Sequence, residues 1–268
     1  MTRVTESSSR YRHLEKMSIA ELTKAINHED MLVPRAIQAE LPAINVLIEA
    51  IVERLKSGGR LFYVGAGSGG RLSVLDVIEL PTTYGIEKGI FNVILAGGVE
   101  HLVEALEQME DDTEAGPQAL RDVGIGPNDL VIGISASGTT PFVLSSLQYC
   151  REHQIPTACI VSNPESPIAA LVDYPVEVIT GPEFITGSTR MKCGTAQKMV
   201  FDMISTTVMI QLGRVIDNSM VHVALINNKI TDRAVRMLME KSGIEDYEQA
   251  KTLLTEAGSV KKALDKLL

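Results

Sequence analysis

The sequence predicts an α/β domain: a parallel sheet flanked by helices, preceded by N-terminal helices and followed by a small C-terminal helical region. Three observations predict it. Short, often β-branched apolar runs recur at 60–64, 91–95, 130–134, 157–161 and 176–179, the length and composition of strands buried on both faces. Helical patterns near 70–78, 99–109, 113–121 and 140–153 lie between them, and that alternation is the signature of parallel strands joined by crossover helices. Two of the runs lead into loops crowded with glycines or hydroxyls just where a helix begins.

In chain order, residues 1–17 read as a loose arm. Ser18 opens Ser-Ile-Ala-Glu, a capping-box pattern, and predicts a helix to about Asn27. Pro34 stands near the start of a second helix. Its apolar positions Ile37, Leu41, Ile44, Leu47, Ile48, Ile51 and Leu55 keep helical spacing until Gly58-Gly59 stops it. After the alternating section, residues 195–212 are apolar on most sides and predict a helix buried in the core or in a subunit interface. An amphipathic helix is expected over 219–240, then two short helices, 246–256 and 259–267, separated by Gly258. The expected division is an arm with helices over 1–57, an α/β core over 58–215 and a helical region over 216–268.

Composition excludes several classes. With 45% hydrophobic residues, the 268-residue chain is too apolar for disorder. A net charge of −9 argues against nucleic acid or an anionic membrane as partner. Three cysteines, Cys150, Cys159 and Cys193, are in no close-spaced pair, which fits a reducing compartment and no cysteine-built zinc site. The uncharged run 130–150 carries Ser135, Ser137, Thr139 and Thr140 at its middle, groups a lipid-spanning helix would leave in hydrocarbon. With no apolar segment resembling a signal peptide, the expected location is the cytoplasm. The five histidines are scattered, and no metal site is expected.

Four motifs carry candidate chemistry. Gly65-Ala-Gly67-Ser68-Gly69-Gly70-Arg71 joins a strand to a helix; glycines let backbone N–H groups approach an anion, and the helix N-terminus adds unpaired donors. Ser135-Ala-Ser137-Gly-Thr139-Thr140 places four hydroxyls within six residues at another strand end. One cap needs one hydroxyl, so four suit the several oxygens of a phosphate. Between Gly181 and Lys198, the segment holding Thr186, Ser188, Thr189, Arg190 and Lys192 combines hydroxyls, glycines and three cations. Two carboxylates complete the set. Glu79 lies before Pro81, which is expected to end its helix, and Glu110 lies in an acidic helix end.

Together these residues resemble the N-acetylmuramic acid 6-phosphate etherase family, in the sugar-isomerase (SIS) fold shared with glucokinase regulatory proteins. The segment Gly181-Pro-Glu-Phe-Ile-Thr-Gly-Ser-Thr-Arg-Met-Lys192 with Gly194-Thr-Ala-Gln-Lys198 is the most specific match, and Gly65-Ala-Gly67, Ala96-Gly97-Gly98 and 136–141 also agree. The resemblance implies an SIS-type parallel sheet and cleavage of the lactyl ether of a phosphorylated amino sugar to N-acetylglucosamine 6-phosphate and D-lactate. It implies no cofactor and no metal, and a homodimer with the active site near the subunit interface. By the same resemblance Glu79 would be the general acid and Glu110 the general base. Gly67, Ser68, Arg71, Ser135, Ser137, Thr139, Thr140, Ser188, Thr189, Arg190 and Lys192 would bind the substrate and its phosphate. The chain departs from the family's pattern at Gly69, where a hydroxyl is usual, and at Ile78 and Leu80, whose apolar side chains are expected to favour a protonated Glu79. These departures leave open a non-catalytic sugar-phosphate-binding regulator, or a related isomerase or lyase.

Overall fold

A computed structural model of the chain describes residues 3–104 and 106–267. Positions 1, 2, 105 and 268 lie outside the described residues. These include the first positions of the expected arm, one position of the expected helix over 99–109, and the last residue of the expected C-terminal region.

The chain forms two compact units: Met1–Val77 with Phe91–Ile204, and Ile78–Ile90 with Ser205–Leu268. The first contains helices α1 (Ile19–Asp30) and α2 (Val33–Lys56), then strand β1 (Leu61–Gly65) leading into α3 (Gly67–Tyr84). Next come β2 (Phe91–Leu95), α4 (Ala115–Asp122), β3 (Leu130–Ser135), α5 (Pro141–Glu152), β4 (Thr157–Val161), β5 (Tyr174–Glu177) and α6 (Lys192–Gln211); α3 from Ile78 and α6 from Ser205 belong to the second unit. The five strands are all parallel, in the order β2-β1-β3-β4-β5. In a sheet of that order the connections diverge between β1 and β3, and the carboxyl ends of these two strands flank an open crevice.

Period-2 patterning gives the sheet its two faces. Phe62, Val64, Val131, Cys159 and Val161 join Leu120, Phe142, Val143 and Leu147 of α4 and α5 in one buried cluster. On the other face the ring of Tyr63 lies 5.2 Å from that of Phe201 in α6. α2 buries Val33, Ile37, Ile44, Leu47, Ile48 and Ile51, the face its spacing predicts. By length and hydropathy the stretch Ile19–Lys56 would suffice to cross a bilayer. A turn at Met31 and Leu32 divides it into two helices, and the apolar face of the second is in the core. The buried thiols of Cys150, Cys159 and Cys193 are free, and burial pushes each up to about 12.

The arm is not loose. Thr5 and Asn163 exchange two hydrogen bonds, the Thr5 N–H donating at 3.1 Å and the Asn163 amide donating to Thr5 Oγ1 at 2.8 Å. Ser9 Oγ donates to the carbonyl of Phe184 at 2.7 Å, and the Tyr11 ring packs on that of Phe184.

In the second unit, hairpin strands β6 (Val215–Ile216) and β7 (Ser219–Met220) precede α7 (Asn228–Ser242), α8 (Tyr247–Ala257) and α9 (Val260–Asp265). Val221, Val223, Val235, Leu238, Leu254 and Val260 form its core. The expected helix over 219–240 is corrected here: its first half is a β-turn and extended chain. Asp217, at φ 57°, and Asn218 make the two-residue turn, a residue pair suited to left-handed backbone. α3 also runs past Pro81 to Tyr84. Proline removes one helical donor, but Gly85 still donates to the Pro81 carbonyl at 3.1 Å.

Candidate active site

Between β1 and β3 lies a cavity of about 170 Å³ lined by three loops and the arm. The β1–α3 turn supplies Ala66, Gly67, Ser68 and Gly69; the end of β3 and its loop supply Ile134, Ser135, Ala136, Ser137 and Thr140. Glu6, Glu110, Gly187, Thr189 and Gln197 complete the wall. α3 closes its first bond from Gly70 N–H to the Ala66 carbonyl. The N–H groups of residues 67–69 therefore have no helical acceptor, and they mark the positive end of the helix.

The hydroxyl loop is organised before any ligand arrives. Ser135 Oγ lies 2.8 Å from Thr140 Oγ1 and 3.2 Å from Ser137 Oγ, and it accepts from the Gly138 N–H at 3.0 Å. Thr140 is the N-cap residue of α5, yet its side chain caps nothing. Helix capping does not account for these hydroxyls, which hydrogen-bond to one another. Thr139, whose hydroxyl donates to Ser137 at 3.1 Å, opens instead on a neighbouring cavity of about 570 Å³ with Arg3, Asn163 and Ser166. The two cavities share Ser137.

Glu110 lies over the glycine turn. A Cβ built on Gly67, at φ +54°, would stand 2.5 Å from Glu110 Oε1. Only glycine gives both that backbone and that approach. The Glu110 carboxyl group is raised to about 7, first by burial, then by its hydrogen bond to Glu107 and the charge of Glu107. Glu107 is held low chiefly by Arg71, 2.8 Å away. The two carboxyl groups titrate together, and Glu110 is the one pushed toward protonation. Among the described residues no group of three or more His, Cys, Asp or Glu is arranged to hold a metal.

Comparison with known proteins agrees with this architecture. The family model of the glucokinase regulatory protein N-terminal SIS domain matches residues 43–151, and that of the SIS domain matches 105–207. Solved phosphoheptose isomerases from Francisella tularensis (TM-score 0.58, 15% identity, 72% of this chain and 99% of that one) and Neisseria gonorrhoeae (0.56, 16%, 71% and 98%) share the fold. The chain is 50% identical to the N-acetylmuramic acid 6-phosphate etherase of Bacteroides fragilis, over 98% of this chain and 93% of that protein. Identity to the same enzyme of Porphyromonas gingivalis is 49% (99% and 96%), and to that of Yersinia pestis 44% (95% and 86%). The chain belongs to the N-acetylmuramic acid 6-phosphate etherase family.

Of the residues the etherase resemblance singles out, the cavity gathers Gly67, Ser68, Ser135, Ser137, Thr140, Thr189 and Glu110. Arg71 stands behind them, paired with Glu107. Ser188 and Arg190 do not line it, and Arg190 is exposed. Lys192 is placed elsewhere than the expected phosphate contact. Its ammonium is 1% exposed and 2.5 Å from Glu29, itself 4% exposed, so it serves as half of a buried ion pair. Lys192→Met is expected to cost about 3–5 kcal/mol by leaving the buried Glu29 carboxylate without its counter-charge. The double replacement Glu29→Met, Lys192→Met should recover most of that loss in urea unfolding.

Glu79 is exposed, on the part of α3 assigned to the second unit. Of its apolar neighbours in sequence, Ile78 is 60% exposed and Leu80 is buried. Sequence reasoning missed Glu6 and Gln197. The arm's docking brings in Glu6, a tertiary effect with no local signal. Gln197 could have been read from its place within the Gly194–Lys198 match.

Proposed function

We propose that this chain is an N-acetylmuramic acid 6-phosphate etherase, cleaving the lactyl ether to N-acetylglucosamine 6-phosphate and D-lactate. The observation that carries the reading is the Glu110 carboxyl group, poised near neutrality, over a glycine turn that faces a preorganised hydroxyl loop. A proton-transfer group is most useful when its pKa is near the working pH, and the loops around it offer N–H and O–H donors to a phosphate.

In the reaction the sugar opens to its aldehyde, which acidifies the C2 proton. Glu110, ionised, takes that proton. The C3–O bond breaks, a C2=C3 double bond forms, and lactate departs with a proton from Glu79. Water then adds back, its oxygen to C3 and a proton to C2. Gly67, Ser68, Ser135, Ser137, Thr140 and Thr189 hold the phosphorylated end still, which converts proton abstraction into a positioned, intramolecular step. Thr139, Ser188 and Arg190 are assigned to the substrate's remaining polar groups. The chain acts as a cytoplasmic homodimer with the site near the interface. Leu75, Ile78 and Glu79 share one exposed face of α3, a surface suited to a second copy.

Incubation of the purified protein with N-acetylmuramic acid 6-phosphate should release D-lactate and N-acetylglucosamine 6-phosphate in equal amounts, with deuterium at C2 when run in D₂O. Absence of lactate from folded dimer would overturn the reading.

A further inference from the structure

Gln197 sits in the first turns of α6 and is 2% exposed. Among the described residues none hydrogen-bonds its side-chain amide, whose atoms are not wholly sealed from solvent. It lines the cavity beside Glu110 and Thr189.

Its position depends on Gly69. A Cβ at residue 69 would stand 2.9 Å from Gln197 Oε1, 3.1 Å from Nε2 and 2.8 Å from Ile134 Cγ2. The amide therefore occupies the space that any side chain at position 69 would claim. Gly69 lies in the first turn of α3, where unpaired N–H groups gather an anion. An amide can turn its NH₂ toward such an anion.

We propose that Gln197 is a phosphate-reading residue of this site, donating from Nε2 to a phosphoryl oxygen of the bound sugar phosphate. This rests on the etherase reading only in taking the ligand to be a sugar phosphate.

The test is calorimetric titration of the full-length protein with N-acetylglucosamine 6-phosphate, with unphosphorylated N-acetylglucosamine and with inorganic phosphate. Gln197→Ala should weaken sugar-phosphate and phosphate binding by about 10-fold, the worth of one hydrogen bond to a charged group, and leave the weak binding of the unphosphorylated sugar alone. Gln197→Glu should weaken both phosphate ligands further, by setting like charges together. Circular dichroism melts identify any variant that has lost its fold, and Gln197→Glu, nearly isosteric, keeps the test open if Gln197→Ala has done so. Unchanged phosphate affinity in folded Gln197→Ala or Gln197→Glu overturns the inference. So does a loss shared equally by the unphosphorylated sugar. Wild-type protein that binds none of the phosphorylated ligands overturns the sugar-phosphate reading itself, and the inference falls with it.

Discussion

Glu110→Gln is expected to lower kcat/KM by roughly 10²–10⁴-fold, the usual contribution of a general acid or base, while making the protein harder to melt at neutral pH. The two effects have one cause. Burial and Glu107 raise the carboxyl group from 4.5 to about 7, which favours its protonated form in the folded chain. A group whose folded pKa is raised contributes stability below its unfolded value, here about 4.5, and loses that contribution as the pH climbs through about 7. Above that point the folded protein holds a carboxylate it would rather protonate. Glutamine removes the strain, so the melting temperature of Glu110→Gln should exceed that of wild type increasingly from pH 4.5 to 7 and by a constant margin beyond. The site is half open to water, so screening trims the margin. As the base, Glu110 must be ionised, and wild-type kcat/KM should fall as the pH drops through about 7. A flat profile there, or a variant with near wild-type turnover, would remove Glu110 from this role.

Glu79→Gln should cost a similar factor, and mixing it with Glu110→Gln should bring activity back. The chemistry calls for two carboxyl groups in opposite protonation states, and the acid assigned to the leaving lactate is exposed on α3. On the proposed two-fold arrangement, a mixed dimer of the two inactive variants would reunite Glu79 and Glu110 at one of its two sites. A statistical mixture would then regain about a quarter of the wild-type rate. Activity that stays at the level of the separate variants places both glutamates within one chain and refutes an interface site.

Much of this was legible in the sequence because strands buried on both faces leave a strong local mark. Four of the five runs fall within a residue of the observed strands; the last was read late because Val178 is buried past the end of β5 at Glu177. The glycine turn and hydroxyl loop were legible because ligand chemistry needs unusual residues at strand ends. What escaped depends on distant chain. The stretch 99–109 has helical periodicity, but Gly97 and Gly98, both at positive φ, precede two isolated 3₁₀ turns, Val99–His101 and Glu107–Asp111. The second turn sets Glu110 over Gly67. Lys192 looked like a phosphate ligand because its cationic loop is rich in hydroxyls, and nothing nearby in sequence announces that Glu29 neutralises it.

Asn163 has a consequence for the order in which the molecule is made. Its amide donates to the carbonyls of Ala136 and Ser137 and to Thr5, 158 positions away in the chain. Ser9 is tied to Phe184 over a span of 175. At about 5–20 residues per second of synthesis, Thr5 waits roughly 8–30 s for its partner to emerge. Until then Glu6 has no wall to join. The segment translated early is thus among the last to dock, and the cavity is finished only when the nascent chain is more than half made.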